Sequence, residues 1–225
     1  SAASWVDLNP AGASGSVARG MSGSQQAGYA SVGGVPRASL WSGTAASWVD
    51  LNPTGAAWSE ALAISGSQQA GYAQLSGGAR AGLWSGTAAS WVDLHPTVAS
   101  WSIAYATDQV QQAGFARVGG VTRASLWSGT AATYIDLHPT GATASEAYAA
   151  SGGQQAGYAV VGGVPHASFW SGTAASWVDL NPAGFNFSVA RSITTDGINT
   201  YIAGYGYSSV TNRYEALLWS QPVPE

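Results

Sequence analysis

The sequence contains no cysteine and few charged side chains, and each absence narrows what the protein can be. Without cysteine, the chain has neither a disulfide scaffold nor a thiolate metal site. Charged residues make up 8% of the chain, against roughly a quarter in an ordinary soluble domain, so solubility rests on Ser, Thr, Gln and Gly. The formal net charge is -4, and the 7 basic residues, all of them arginine, are scattered. We therefore expect no nucleic-acid partner, because phosphate binding needs a basic patch.

Long apolar runs are also missing. No stretch approaches the ~18 consecutive apolar residues of a transmembrane helix, and no signal peptide opens the chain. Glycine and tryptophan are abundant instead, with 30 and 11 copies in 225 residues. We accordingly expect no membrane span in this sequence.

A stretch with Trp at its start and a second Trp seven residues later recurs along almost the whole chain. One copy is Trp84-Ser-Gly-Thr-Ala-Ala-Ser-Trp91, which is followed by Val-Asp-Leu94. Successive copies are 43 residues apart, except for 49 between Trp170 and Trp219. Periods of this length are typical of propellers and solenoids. A period that runs from end to end favours a single domain over residues 1–225.

Each unit contains four short segments separated by Gly, Ser or Pro. In the second unit these are residues 59–63, 69–73, 80–84 and 90–94. They are too short for helices, so the pattern predicts four antiparallel strands joined by tight turns. Side chains are small in the first segment, as at Ser59 and Ala61, and bulk rises towards the fourth. We therefore predict that the first strand lies nearest the axis.

The types of strand at the two ends of the chain predict a closed ring. The chain begins with a fourth-type strand around Trp5 and ends with a third-type strand at residues 214–219. We predict an all-β, five-bladed β-propeller of four-stranded blades, in which residues 3–8 complete the last blade. An open stack would expose apolar faces at both ends and is the disfavoured alternative. The expected blades are approximately residues 11–53, 54–96, 97–139, 140–182 and 183–220 plus 1–10.

The fifth unit is longer than the others. Its alignment assigns the additional residues to two turns at opposite ends of the blade, within residues 194–200 and 207–212. Asp196-Gly197 and Asn212 are typical corner residues. A helix is not expected at either place.

The repeated motif resembles a known family. The motif consists of Gly-x-Gln-Gln-Ala-Gly-Tyr-Ala, a Gly-Gly turn and (Arg/His)-Ala-x-(Leu/Phe)-Trp, and it is similar to the HAF-type extracellular repeat. That repeat is named for a His-Ala-Phe signature, and the best match to the signature in this chain is His166-Ala-Ser-Phe169. Pro222-Val-Pro-Glu225 resembles the start of a PEP-CTERM sorting signal. Together they imply a bacterial extracellular or cell-surface protein, and Ser1, inside a repeat, suggests a trimmed start. Tachylectin-like lectins and several glycosidase families also have five blades, but similarity of fold does not transfer function.

The carboxylates that repeat do not suggest catalysis. Asp50 and its equivalents occur once per blade near the rim and cannot converge, so we predict that each bonds a turn or pairs with a residue such as Arg37. Glu60 and Glu146 lie at the same place in non-adjacent blades. They could meet across a narrow axis as an acid–base pair, but the favoured interpretation is that they lie in a solvated tunnel or at a blade edge.

Histidines and catalytic motifs also give no sign of an enzyme. His95 and His138 stand where other units have Asn before Pro, which indicates turn-capping side chains rather than metal ligands. No nucleophile elbow, phosphate loop or Ser-His-Asp set occurs. We expect no enzymatic activity, no cofactor and no metal.

The segments that connect one blade to the next vary more than the strands do. They should cross one face of the ring from rim to axis. Aromatic side chains beside a polar rim suit stacking on sugar rings, although they could instead fill gaps between inner strands. Two arginines near the axis could add polar contacts. The candidate ligand-binding residues are Trp58, Trp101, Phe185, Phe187, Arg19 and Arg191.

Three functions remain open on the sequence alone. The favoured one is a non-enzymatic extracellular module, monomeric and lectin-like, whose partner is a polysaccharide or glycan. The alternative is a purely structural or adhesive surface protein. A glycoside-acting enzyme ranks third, because convergent carboxylates are not evident.

Overall fold

Five antiparallel sheets follow one another along the chain in the computed structural model, which describes residues 4–223. The first two contain β1 (Ala13–Ser22), β2 (Gln25–Val32), β3 (Val35–Trp41), β4 (Val49–Asp50), β5 (Trp58–Ser65), β6 (Gln68–Leu75), β7 (Gly78–Trp84) and β8 (Val92–Asp93). The next two contain β9 (Ala99–Thr107), β10 (Gln112–Val118), β11 (Val121–Trp127), β12 (Ile135–Asp136), β13 (Ser145–Ser151), β14 (Gln154–Val161), β15 (Val164–Trp170) and β16 (Val178–Asp179). The fifth contains β17 (Phe185–Thr195), β18 (Asn199–Ser208) and β19 (Arg213–Pro222). The predicted five blades are confirmed.

The fourth strands are shorter than the sequence suggested. A 3-10 turn precedes each of them, as at Ala88–Ser90, where the Ser90 hydroxyl donates to the Thr87 carbonyl oxygen at 2.6 Å. Gly86 in the same connection has a φ of +82°, which favours glycine. Trp91 therefore lies before the strand, and only two residues pair with β7.

Each first strand contains a β-bulge that the sequence analysis did not foresee. In β9, Ala104 pairs with Gly114 and Ala106 with Ala113, which leaves Tyr105 without a partner. A Cβ on Gly114 would lie 2.0 Å from the Ile103 carbonyl oxygen, so the bulge requires glycine there. The same arrangement leaves four other residues unpaired, opposite Gly28, Gly71, Gly157 and Gly204: Arg19, Leu62, Tyr148 and Arg191. Bulges bend a strand and re-aim side chains.

The hydrophobic core lies between neighbouring blades. Trp127 at the end of β11 is fully buried against Ala81, Leu83 and Leu94 of the preceding blade. Trp84 and Trp170 occupy the equivalent positions one blade earlier and one blade later. Since a buried Trp removes roughly 150–250 Å² from water, the recurring Trp provides much of the cohesion between blades.

A hydrogen-bonded serine also joins each pair of blades. The Ser102 hydroxyl accepts from the Ala81 amide of the preceding blade at 3.0 Å and lies 2.8 Å from His95 Nδ1. His95 Nε2 lies 3.0 Å from the Ala99 carbonyl oxygen. His138 repeats these contacts in the next blade. The predicted turn-capping role of the histidines is confirmed, and the geometry suits a neutral imidazole that donates from Nε2.

These histidines should make stability depend on pH. Burial lowers the pKa of His95 and His138 below the ordinary 6.5. Below pH 6.5 the unfolded chain then binds more protons than the folded one. The free energy of unfolding should therefore fall as the pH is lowered from about 7 to 5. Asn52 fills this position in the first blade, accepting from Ser59 at 2.6 Å.

The double variant His95→Asn/His138→Asn is therefore expected to lose much of that pH dependence. Urea denaturation of both proteins across the same pH range measures it. Equal slopes for the two proteins would contradict the assignment.

The two turns of the fifth blade confirm the predicted insertions. β17 ends at Thr195 and β18 begins at Asn199, with Gly197 between them at a φ of +89°. The second turn ends at Asn212, whose φ is +54°. Neither place contains a helix. Across residues 4–223, no helix is long and apolar enough to cross a membrane.

The closing strand is not formed in the described part of the chain. Residues 4–10 belong to no strand, Trp5 is 84% exposed, and the fifth sheet has three strands. Leu218 is 72% exposed, whereas its equivalents Leu40 and Leu83 are each 4% exposed. Closure stays a prediction, and Ala3 of the predicted strand lies outside the described residues, as do Pro224 and Glu225 of the predicted sorting signal.

Candidate functional site

The first strands of consecutive blades lie side by side. β5 contacts both β1 and β9, and β13 contacts both β9 and β17. On β5, Ser59 faces the preceding blade, because its hydroxyl accepts from the Ala38 amide at 2.9 Å. The alternate residues Trp58 and Glu60 therefore point to the opposite side of the strand. The predicted position of the first strand is supported by these contacts.

Trp58 and Trp101 line one groove between the second and third blades. Their rings contact Tyr72 and Phe115 edge to face, with centroids 5.2 Å and 4.8 Å apart. The groove has a volume of about 540 Å³, and both indoles are only half-buried. Its lining is Trp58, Tyr72, Gln74, Gly78, Ala79, Ser100, Trp101 and Ile103. Two of the candidate aromatic residues thus come together in a partly open, mainly apolar groove.

Phe185 and Phe187 lie elsewhere. Phe187 stacks on Tyr207 with centroids 6.4 Å apart and meets Tyr214 at 5.9 Å. Phe185 lies against Gly206, where a Cβ would come within 2.7 Å of its ring. These contacts support a packing role within the fifth blade, and neither phenylalanine lines the groove of Trp58 and Trp101.

A second pocket lies on the axis. It has a volume of about 470 Å³ and is lined by Arg19, Leu62, Tyr105, Tyr148 and Arg191. These are the five bulged residues, one from each blade. The bulges therefore bring one side chain from each of the five blades to a single pocket, called here the axial pocket.

The two glutamates near the axis each have a partner of their own. Glu60 lies 3.5 Å from the Arg19 guanidinium, and the Tyr158 hydroxyl donates to Glu146 at 3.0 Å. Burial, followed by the charge of Glu146, raises the pKa of Tyr148 to about 12 and that of Tyr105 further. These phenols are therefore neutral at physiological pH. The contacts give no support to an acid–base pair, and no group of three His, Asp or Glu in residues 4–223 could hold a metal ion.

The repeated aspartates have the structural role predicted for them. Asp50 Oδ2 lies 2.7 Å from Arg37, and its Oδ1 accepts from the Asn52 amide. The same pairs recur at 2.8 Å in the next two blades, and His166 takes the place of the arginine at 2.7 Å from Asp179. These carboxylates are engaged in the blade rims and do not face the axis.

Three residues of the axial pocket were not among the candidates from the sequence, although they align with Arg19 and Arg191: Leu62, Tyr105 and Tyr148. A signal for them exists. Their position varies between Arg, Leu and Tyr, while the alanine before it recurs in all five units. Tyr72 and Gln74 of the groove were also missed, because they lie on β6, opposite Glu60 and Trp58, whereas candidates from the sequence were sought in the variable connecting segments.

Comparisons with known proteins show the fold and no family. No family model and no curated sequence matches the chain. A putative TolB from Agrobacterium tumefaciens superimposes with a TM-score of 0.60 at 9% identity, over 90% of this chain and 87% of that one. TolB from Acinetobacter baumannii gives 0.55 at 12% identity, over 91% of this chain but only 54% of that one. A chain of a nidogen/laminin complex gives 0.51 at 9% identity, over 90% and 80%.

These similarities assign the architecture. Identities of 9% to 12% show the fold alone. The HAF-type and PEP-CTERM resemblances find no support from family models. The chain is similar to β-propeller proteins, with five blades of which four have four strands.

Proposed function

We propose that this protein is a non-enzymatic binding module whose ligand, a saccharide ring, occupies the groove of Trp58 and Trp101. The observation that carries the proposal is the convergence of two half-buried indoles in one groove of about 540 Å³. Flat apolar rings stack on the apolar faces of sugars, while Gln74 and Ser100 supply hydrogen bonds at the rim. With few polar groups in the groove, affinity per site is expected to be weak.

A protein partner is the second candidate. One structural neighbour is a chain of a complex between two proteins, nidogen and laminin. A mainly apolar groove with a polar edge would also accept the side chains of an extended peptide. Binding to peptides and not to saccharides would favour this alternative.

The double variant Trp58→Ala/Trp101→Ala is expected to lose retention on a neutral polysaccharide column. The equivalent positions hold Gly15 and Ala144 in other blades, so the fold accepts small residues there. The melting curve should therefore change little. Retention equal to that of the unsubstituted protein would contradict a site in this groove.

Phe187→Ala provides the matched control. Phe187 occupies the same position in the fifth blade but contacts Tyr207 and Tyr214 instead of the groove. We expect this variant to lose stability and to keep retention. A Trp double variant that unfolds instead would identify its two rings as core residues.

The five blades are further proposed to form one domain that closes through residues 3–8. The contact that would join the fifth blade to the first, called here the fifth seam, has the same residue types as the contact between the first two blades. Ser16, Asn9 and Ala216 stand where Ser59, Asn52 and Ala38 make the inter-blade bonds. Asn9 Oδ1 is buried without a hydrogen-bond partner, and pairing through Ser16 would satisfy it. A closed monomer at the bacterial cell surface or in the extracellular matrix remains the setting implied by the repeat resemblance.

A further inference from the structure

The axial pocket is separate from the Trp58 groove. Leu62, its lining residue on β5, lies four positions beyond Trp58, and the two cavities share no residue. Each of the five blades contributes one bulged side chain to it. A ligand here would bind on the axis whatever occupies the groove.

Arg191 enters this pocket without a carboxylate partner in residues 4–223. Its guanidinium lies over the Tyr148 ring, 4.4 Å from the centroid, and one N–H donates to the Tyr205 hydroxyl at 3.3 Å. Stacking uses the flat face of the guanidinium, so other N–H groups along its edge remain free to donate.

Arg19 supplies a second positive charge to the same pocket. Its side chain is 45% exposed and lies 3.5 Å from Glu60, a loose contact that leaves donors free. The walls between the two arginines are Leu62 and the neutral phenol rings of Tyr105 and Tyr148. Glu146, the other acid nearby, accepts from Tyr158 and does not line the pocket.

We propose that the axial pocket binds a carboxylate group, carried by a sugar acid or by a small organic acid. A planar carboxylate matches the two parallel N–H groups of a guanidinium edge, so Arg191 is the principal donor and Arg19 the second cation. Tyr105 lines the same pocket and would lie beside the rest of the ligand. The proposal does not depend on the groove.

Calorimetric titration of the full chain at low ionic strength tests it, with glucuronate, glutarate and glucose as probes. Glucuronate should bind and glucose should not. Equal binding of glutarate would identify a general carboxylate site, and weaker binding would identify a sugar acid; both support the proposal. Arg191→Leu should weaken glucuronate binding at least about tenfold, since a charged hydrogen-bonded pair is lost.

Leucine is a matched substitution because Leu62 already occupies this position in the second blade. Arg191→Lys keeps the charge without the bidentate edge, and its affinity should be intermediate. Arg213→Leu removes an equal charge from β19, where Arg213 pairs with Glu215 outside the pocket. This control should bind as the unsubstituted protein does.

Failure of both acids to bind would overturn the proposal, as would unchanged affinity in Arg191→Leu or an equal loss in Arg213→Leu. The Trp58→Ala/Trp101→Ala variant should still bind glucuronate. Its behaviour separates failure of the axial site from failure of the groove.

Discussion

Replacing Gly114 by alanine is expected to lower the free energy of unfolding by about 3 kcal/mol, at the upper end of the usual cost of overpacking. The added Cβ would lie 2.0 Å from the Ile103 carbonyl oxygen and 2.9 Å from the Ala104 Cα. Both atoms belong to the backbone, so only a shift of β9 could relieve the contact. Urea denaturation of the full chain measures the loss.

Gly15→Ala is the control for this prediction. Gly15 also lies within a first strand, β1, but a Cβ there would have no atom within 4 Å. Its effect should stay within about 0.5 kcal/mol, as at other open sites. Similar losses in both variants would mean that strand propensity, and not the bulge, explains the glycine.

Removing residues 1–10 is expected to lower the melting temperature by about 10 °C, if these residues close the ring as proposed. The truncated chain would leave the apolar face of the last blade, where Leu218 lies, without its cover. Thermal unfolding followed by circular dichroism measures the effect. A melting temperature within a few degrees of the full chain would contradict closure.

A pair of serine variants tests closure without deleting residues. Ser59→Ala removes the hydroxyl that accepts from the Ala38 amide at 2.9 Å, which should cost about 1–3 kcal/mol. Ser16→Ala should cost the same in a closed ring and almost nothing in an open one. The ratio of the two losses therefore reports the state of the seam directly.

Much of the fold could be predicted because the same residues recur in each unit and mark its strands and turns. The period located each Trp, the Gly-rich turns bounded each strand, and Asp196-Gly197 and Asn212 marked the two corners of the fifth blade. The substitution of Asn by His95 before Pro indicated a turn cap. These features rest on contacts within one unit or between adjacent units, so that one sequence period carries the information.

The site was less predictable. Four aromatic residues in the variable segments looked equivalent, yet only Trp58 and Trp101 share a groove, while Phe187 packs against tyrosines of its own blade. Which neighbours surround each ring depends on the residues of the next blade and on the alternation of side chains across the sheet. Neither is visible in the segment that carries the aromatic residue.

By itself, the sequence determined the number of blades and the order of their strands, because both depend on a pattern that repeats along the chain. Only the tertiary structure decided that Arg19, Leu62, Tyr105, Tyr148 and Arg191 share one axial pocket. A bulge moves each of these residues out of the regular alternation of side chains along its strand. The glycine opposite permits the bulge, because the neighbouring backbone comes too close there for a Cβ. Convergence on an axis is a relation among five distant segments, and three-dimensional packing alone brings those segments together.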